Sequence, residues 1–177
     1  MRLLLLAMAT CLRSATVCND ARAITELFAT ASLGSPERAV GFVLWRVLHR
    51  YVREAERVLG GLDLTHLQFQ TLALAAWLGR SGAAVTQSEL AKAGDIGPMQ
   101  VSHMMKVLES KGWIKRVRST SDVRAKNVEL TAAGIEVLRE AFPPMVALQR
   151  DLFGPDGAPG GPLLAALHRS ESSTPGA

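Results

Sequence analysis

Apolar residues recur at a helical period through a long segment of the N-terminal half. Ser35-Pro36-Glu37 supplies an N-cap residue, a first-turn proline and an early carboxylate, which are typical of a helix start. From Val40 to Leu59 the apolar positions form one stripe with a period of 3.6 residues, and Gly60-Gly61 ends the pattern. The sequence therefore predicts one long helix within residues 35–61. Its stripe covers either the protein's own core or a partner subunit.

Residues 62–131 show short elements separated by turns. Capping residues precede the apolar stretches, and glycines follow them. The predicted elements are a helix from Asp63 or Thr65 to Gly79, an extended piece at Val85-Thr86, a helix from Gln87 to Ala93, a helix from about Pro98 to Ser110, and a β-hairpin of Trp113–Arg118 and Lys126–Leu130. Two short helices around a tight turn, followed by a hairpin, are the element order of a winged helix-turn-helix.

The C-terminal part, residues 132–169, is predicted to be helical. Thr131 is a suitable N-cap, and Pro143-Pro144 predicts an interruption and a kink in the helix that follows. Residues 154–162 hold seven Gly or Pro in nine positions, a flexible break before a short helix at 163–167. Residues 170–177 are predicted to be a disordered tail.

The composition fits one globular domain with an N-terminal arm. The 177 residues are 48% hydrophobic and 20% charged, which excludes a collagen, a disulfide scaffold and a wholly disordered chain. Residues 1–34 form a poorly patterned arm. Its apolar run Leu3–Leu12 is too short to span a bilayer, and Arg13 follows it directly, so a helical arm or residues upstream of the true start codon are favoured over a signal peptide. Two cysteines, Cys11 and Cys18, fit a reducing cytoplasm.

Basic residues are concentrated in the helix predicted at 98–110 and in the hairpin. The whole chain has a formal net charge of +4, whereas the segment from His103 to Lys126 holds seven basic residues against two acidic ones, Glu109 and Asp122. This excess lies on the two elements that would meet a duplex and indicates DNA binding, with a solvated basic face as the alternative. The predicted fold is mainly α with a small β-hairpin wing, with the winged helix-turn-helix lobe in residues 62–131.

Side chains of the helix predicted at 98–110 separate into two faces. The positions expected to pack inward are Val101, Met104, Met105 and Leu108. The polar positions left on the outer or flanking faces are Gln100, Ser102, His103 and Lys106. Glutamine can bond an adenine edge in a bidentate manner, serine suits bases or phosphate, and histidine and lysine suit guanine or phosphate. These four residues are therefore candidate DNA contacts.

The hairpin carries a second set of candidates. Asp122 and Arg124 are two residues apart near the turn, so the carboxylate can orient a guanidinium that enters a minor groove. The predicted phosphate contacts are Arg116, Arg118 and Lys126. An inconsequential surface ion pair, worth roughly 0–1 kcal/mol, is the alternative for Asp122 and Arg124.

Several short motifs in a fixed order resemble the MarR family of bacterial regulators. They lie at Leu62–Leu72, Thr86–Ala91, Val101-Ser102, Leu108–Gly112, Asp122–Lys126 and Leu130–Gly134. Each motif is weakly specific, and their order and spacing over residues 36–168 are more so. The resemblance implies a homodimeric winged-helix repressor or activator, dimerised through helices in 35–61 and 132–169. It also implies frequent control by a small phenolic or other aromatic ligand, or by cysteine oxidation.

The resemblance also assigns DNA contacts residue by residue. It places recognition-helix contacts on Gln100, Ser102 and His103, and the wing-tip pair on Asp122 and Arg124. Three departures bear on the operator sequence rather than on the fold. Histidine stands at position 103 where an arginine is common, residues 97–99 replace a more polar helix start, and the first acidic residue of the usual wing tip is missing.

The family's effector pocket lies between the dimerisation helices and the DNA-binding lobe. The residues this implies as lining are Trp45, His49, Phe69 and Trp77. Aromatic residues at helical spacing usually pack in the core, which is the alternative for all four. Redox sensing through Cys11 or Cys18 is a further alternative. The four histidines show no metal-ligand spacing, so no metal site is predicted.

We expect a DNA-binding transcriptional regulator that binds a pseudo-palindromic operator as a homodimer, with half-sites about 10 bp apart. The sequence shows no nucleophile with a nearby base and no Gly-rich phosphate loop, so we expect neither enzymatic activity nor a cofactor. The expected partners are double-stranded DNA, a second copy of the chain and a small aromatic effector, in the cytoplasm and away from membranes. The alternative from another class is a winged-helix protein-interaction module, whose binding would depend less on salt.

Overall fold

The computed structural model describes residues 20–118, with the side chain of Arg118 excepted, and residues 126–172. The described part is mainly helical with a small antiparallel sheet, as predicted. The chain divides into two compact units, residues 1–47 and 48–177, and the boundary falls within the second helix.

The first unit contains a helix within the predicted N-terminal arm, for which the sequence analysis gave no bounds. Helix α1 (Ala21–Ala31) begins after Asp20, whose Oδ1 accepts hydrogen bonds from the backbone N–H groups of Arg22 (3.0 Å) and Ala23 (3.3 Å). The arm predicted over residues 1–34 is therefore helical over these eleven residues. All residues of α1 are exposed.

Helix α2 (Val40–Leu59) starts later than predicted. The start signals at residues 35–37 produce only a 3₁₀ turn, Pro36–Arg38, in which Ser35 makes no side-chain capping bond. Ala39 then adopts an extended conformation, and the α-helix begins after it. Its last residue, Leu59, is fully buried in the core of the second unit.

The second unit contains the predicted helix-turn-helix and wing. Its elements are α3 (His66–Gly79), β1 (Val85–Thr86), α4 (Gln87–Gly94), α5 (Pro98–Ser110), β2 (Ile114–Arg118), β3 (Lys126–Leu130), α6 (Ala132–Phe153) and α7 (Pro162–Ser172). Capping boxes at Thr65 and Thr86 start α3 and α4. Asp63 lies in the left-handed region (φ 51°), so the helix start predicted there is wrong and the one at Thr65 is confirmed.

The small sheet joins the wing to the helices. Its strand order is β1-β3-β2, with Val128 paired with Val85 on one side and with Arg116 on the other. The predicted hairpin is confirmed, and β1 adds a third strand. The apolar side chains of Val85, Ile114 and Val128 are buried with those of the surrounding helices, which stabilises the lobe by removing apolar area from water.

Helix α6 continues through Pro143 and Pro144, so the predicted interruption is wrong. Each proline removes one backbone hydrogen bond, and a proline inside a helix costs about 3 kcal/mol or more. Ala141 before the prolines and Met145 and Leu148 after them are all buried. Burial on both sides of the defect holds the helix because tertiary packing supplies most helical stability in proteins.

The C-terminal helix is longer than predicted. Helix α7 covers Pro162–Ser172 rather than residues 163–167, and so it extends into the segment 170–177 that the sequence predicts as a disordered tail. The Gly- and Pro-rich break before it contains a 3₁₀ turn, Gly154–Gly157.

Candidate nucleic-acid interface

Helix α5, the second helix of the helix-turn-helix, is fixed by one apolar face. The four inward positions predicted from the sequence are confirmed as buried: Val101, Met104, Met105 and Leu108. On the remaining faces Gln100, His103 and Lys106 are exposed, and Ser102 is half-buried. We call α5 the recognition helix, because its exposed face carries donors and acceptors suited to base edges.

The turn between α4 and α5 is tight. Asp95 adopts the left-handed conformation (φ 47°) that ends α4, and the N–H of Ile96 returns to the carbonyl of Ala91 at 3.0 Å. A Cβ at Gly94 would lie 2.8 Å from the Cδ1 atom of Ile96 and 3.2 Å from the side chain of Leu74. The close packing of this turn fixes the start of the recognition helix.

Two of the basic residues counted from the sequence make ion pairs within the lobe. Arg116 on β2 pairs with Glu109 of the recognition helix, with its Nε 2.7 Å from the carboxylate Oε2 and its Nη2 on the same oxygen. The Arg116 side chain is only 19% exposed. The hydrogen bond from Arg116 lowers the pKa of the Glu109 carboxyl below its ordinary value, and the charge of nearby Lys126 acts in the same direction.

Lys111, which follows the recognition helix, is tied to the start of α3. Its Nζ lies 3.0 Å from Asp63 Oδ2 and 3.2 Å from Gln68 Oε1, and 4.8 Å from the centre of the Trp113 ring. A cation is favourable at the C-terminal end of a helix, where the dipole is negative. Lys111 therefore joins two helices, a role that its position in a basic run did not indicate.

Within the part of the interface that the structure describes, the exposed positive charges come from lysines. Lys106, Lys115 and Lys126 are exposed on the recognition helix, β2 and β3. The predicted wing-tip pair, Asp122 and Arg124, lies outside the described residues, and so does the side chain of Arg118. The predicted DNA contacts at all these positions stay predictions.

The four candidates for an effector pocket lie in different surroundings. Phe69 is 4% exposed and belongs to the core. Trp77 is 60% exposed, with the guanidinium of Arg80 stacked 3.5 Å from its ring centre. Trp45 and His49 are exposed on α2. The structure supports the core alternative for Phe69, and ligand binding by the other three stays a prediction.

A cleft of about 510 Å³ lies elsewhere on the lobe, among α3, β3 and α6. Small apolar side chains line most of it, together with Arg80 and Asn127. The Oδ1 atom of Asn127 is buried and has no hydrogen-bond partner among the described residues. The volume is within the range of small-molecule sites, roughly 300–1,000 Å³.

The described residues offer neither a metal site nor a membrane span. No group of three or more His, Cys, Asp or Glu residues in these ranges is placed to hold a metal ion. No helix in the same ranges is long and apolar enough to cross a membrane. Cys11 and Cys18 lie outside the described part of the chain.

A family model, a relative by sequence and solved structures all indicate the family that the sequence motifs resemble. The MarR family model matches residues 64–126. The uncharacterized HTH-type transcriptional regulator YdcH of Bacillus subtilis is 31% identical over 123 residues, which are 70% of this chain and 84% of that protein. A mutant of E. coli MarR complexed with operator DNA has a TM-score of 0.65 at 25% identity, covering 76% of this chain and 94% of its own. BpsR of Bordetella bronchiseptica has the same fold, with a TM-score of 0.67 at 22% identity over 77% of this chain and 95% of its own. The helix-turn-helix, the wing and these relatives together show that the chain belongs to the MarR family of transcriptional regulators.

Proposed function

We propose that the protein regulates transcription by binding double-stranded DNA as a homodimer, with the recognition helix of each subunit in a major groove. The observation that carries this proposal is the two-sided character of the helix. Its four buried apolar side chains fix its orientation, Gln100, His103 and Lys106 are left exposed, and the ion pair of Glu109 with Arg116 joins the wing to the same helix. A related protein, E. coli MarR, has been crystallised with its operator, which supports the same docking here.

The exposed residues divide by the kind of contact they suit. Gln100 and His103 suit base edges and so determine sequence preference, whereas Lys106 and Lys126 suit phosphates and so determine overall affinity. Arg124 of the wing is proposed to enter the adjacent minor groove. Arg124→Ala is therefore expected to weaken binding to all sequences, whereas Gln100→Ala relaxes preference at particular bases.

The homodimer is proposed from apolar side chains that the single chain leaves in solvent. Leu44 and Leu48 on α2 are 45% and 55% exposed, and Phe142 and Val146 on α6 are 43% and 49% exposed. Helices that show such residues on their outer faces are suited to burial against a second copy. Two recognition helices related by a two-fold axis would read half-sites about 10 bp apart.

Control by a small molecule completes the proposal. BpsR shares this fold, and its DNA binding is regulated by 6-hydroxynicotinic acid. The cleft beside Asn127 is of suitable size for a compound of that kind, and its buried carbonyl oxygen would accept a hydrogen bond from a ligand. We propose a cytoplasmic repressor that such a ligand releases from its operator.

A salt-titrated shift assay tests the function. The purified protein is titrated against the DNA upstream of its own gene and against a random duplex of equal length, over a series of salt concentrations. We expect preferential binding to the upstream DNA, with log affinity falling linearly with log salt by about 0.9 for each phosphate contact. Equal affinity for both duplexes, or no binding at low salt, would reject the proposal and favour a protein-interaction module.

A further inference from the structure

An acidic side chain lies within the basic surface proposed to face DNA. Glu109 is near the end of the recognition helix, and its side chain is 36% exposed. A carboxylate on a DNA-facing surface repels phosphates, so its presence there calls for a compensating role. The contact that it makes with Arg116 supplies one.

The ion pair connects the recognition helix to the wing. Arg116 is on β2, seven residues after Glu109, and directs both Nε and Nη2 at one carboxylate oxygen. Lys126 at the start of β3 contributes a second positive charge near the same carboxylate. Between helix and strand the chain turns at Gly112, which has a φ of 73°. The Glu109 carboxylate therefore interacts with a cation on each strand of the wing, across a turn in which the N–H of Trp113 donates to the carbonyl of Leu108 at 3.0 Å.

The orientation of Arg116 also bears on its own role. Two of its N–H donors are occupied by the Glu109 carboxylate, and only 19% of its side chain is exposed. A residue that neutralises a phosphate must present its donors outward, as the exposed Lys106 does on the recognition helix.

We propose that Arg116 is a positioning residue rather than a phosphate contact, and that its ion pair with Glu109 sets the angle of the wing relative to the recognition helix. The inference rests on the proposed DNA-binding function. This positioning role replaces the phosphate contact predicted for Arg116 from the sequence, and it accounts for the acidic Glu109 on this surface. Both residues are then needed for the wing and the helix to engage adjacent parts of one duplex together.

A positioning role for Glu109 predicts a change in DNA affinity opposite in sign to the change expected from electrostatics alone. Removal of a negative charge from the DNA-facing surface should strengthen binding if charge is all that matters. If the ion pair positions the wing, Glu109→Gln should weaken binding by about three- to tenfold. This is the fold-change expected for the loss of one ion pair whose side chains are neither fully exposed nor fully buried. Glu109→Asp keeps the charge and shortens the side chain, so it should weaken binding as well.

Matched variants separate the two explanations. Asp95→Asn removes one negative charge from the helix-turn-helix turn, and asparagine tolerates the left-handed backbone there, so binding should be unchanged or stronger. Lys106→Gln should lower the slope of log affinity against log salt by about 0.9 in magnitude. Arg116→Gln should weaken binding while this slope stays that of the wild type. The double variant of Glu109 and Arg116 should be no weaker than Arg116→Gln alone, because both changes remove the same contact.

Amide hydrogen exchange of the free protein provides a readout that needs no DNA. Glu109→Gln should accelerate exchange in β2 and β3 relative to the wild type, while Asp95→Asn should not. The proposal is overturned if Glu109→Gln binds DNA as tightly as Asp95→Asn, if Arg116→Gln lowers the slope as Lys106→Gln does, or if wing exchange is unchanged. Failure of the wild type to bind DNA would reject the proposed function instead, and the exchange data would still decide whether the pair holds the wing.

Discussion

Gly134 in the first turn of α6 is predicted to be intolerant of even one added methyl group. It is buried, and a Cβ built on it would lie 2.1 Å from the backbone carbonyl oxygen of Trp113 and 3.0 Å from its carbonyl carbon. Its backbone has ordinary helical geometry, so the requirement for glycine is one of space rather than of conformation. The obstacle is backbone, which cannot rotate away as the end of a side chain can.

The expected cost of Gly134→Ala follows from what must move. To clear the carbonyl, α6 must shift away from β2 by about 1 Å, which strains the bonds from the Thr131 N–H to Trp113 O (3.0 Å) and from the Thr131 hydroxyl to Gly112 O (2.6 Å). Overpacking costs about 1–3 kcal/mol, and each weakened hydrogen bond costs about 1 kcal/mol. Alanine regains about 1 kcal/mol of helix propensity. The net destabilisation is about 2–4 kcal/mol.

Thermal unfolding followed by circular dichroism, at one fixed protein concentration, measures this effect. A loss of about 2–4 kcal/mol should lower Tm by about 4–16 °C in a chain of this size. Gly61→Ala is the matched control: a Cβ there meets nothing within 4 Å, so stability should be unchanged or rise by up to about 1 kcal/mol. If Gly134→Ala unfolds at or above the wild-type temperature, the close approach of α6 to Trp113 is refuted.

Three further predictions concern binding, pH and assembly. Gln100→Ala should lose about 1–3 kcal/mol of discrimination at one base position of the operator, measured with single-base operator variants, whereas Lys106→Ala should weaken all variants equally. Hydrogen bonds from the backbone N–H and then the hydroxyl of Thr86 lower the pKa of the Glu89 carboxyl, so this capping contact stabilises the fold at neutral pH and is lost as the pH falls below 4.5 toward the lowered pKa. The difference in Tm between about pH 6 and about pH 3 should therefore be smaller for Glu89→Gln than for the wild type, and an equal difference would show that the carboxylate is not engaged. Deletion of residues 1–34 should leave Tm unchanged, because every residue of α1 is exposed within the single chain, and should leave the homodimer intact, because the apolar stripe of α2 begins only at Val40. Monomers in sedimentation velocity would show instead that the arm takes part in assembly.

The recognition helix was predictable because its pattern is strong and local. Val101, Met104 and Met105 recur at helical spacing, and polar residues occupy the positions between them, so burial on one side follows from geometry. Capping residues such as Thr86 fixed the ends of neighbouring helices with similar certainty. The fold of the lobe could be read from such signals without knowledge of long-range contacts.

Other features depend on contacts between distant segments. The sequence of α6 predicts a break at Pro143-Pro144, and only the burial of Met145 and its neighbours explains why the helix continues. Helix α1 had a usable signal, since Asp20 is a suitable N-cap and Ile24, Leu27 and Phe28 have helical spacing. An eleven-residue helix is nevertheless marginal on its own in water, which makes such a signal weak.

Charge counting was the least reliable part of the site prediction. A count of basic residues does not distinguish a cation that faces solvent from one that is paired with another part of the chain. Arg116 and Lys111 have partners in Glu109 and Asp63, the second of which lies 48 residues earlier in the chain. The excess of positive charge in this segment therefore overstates the number of cations directed at DNA, and the salt slope should be correspondingly smaller.

The spacing of the family motifs has a physical origin at the junction between the wing and α6. Gly112 ends one motif and Thr131 lies within another, and the hydroxyl of Thr131 donates to the Gly112 carbonyl at 2.6 Å while accepting from the Gly134 N–H at 3.0 Å. Trp113 contributes the carbonyl against which Gly134 packs. Each residue type alone is common, and the junction forms only when the strands between the motifs bring them together. This explains why the motifs are weakly specific separately and more specific in order. It predicts that an insertion of two residues within the segment 119–125 should disturb binding far more than stability.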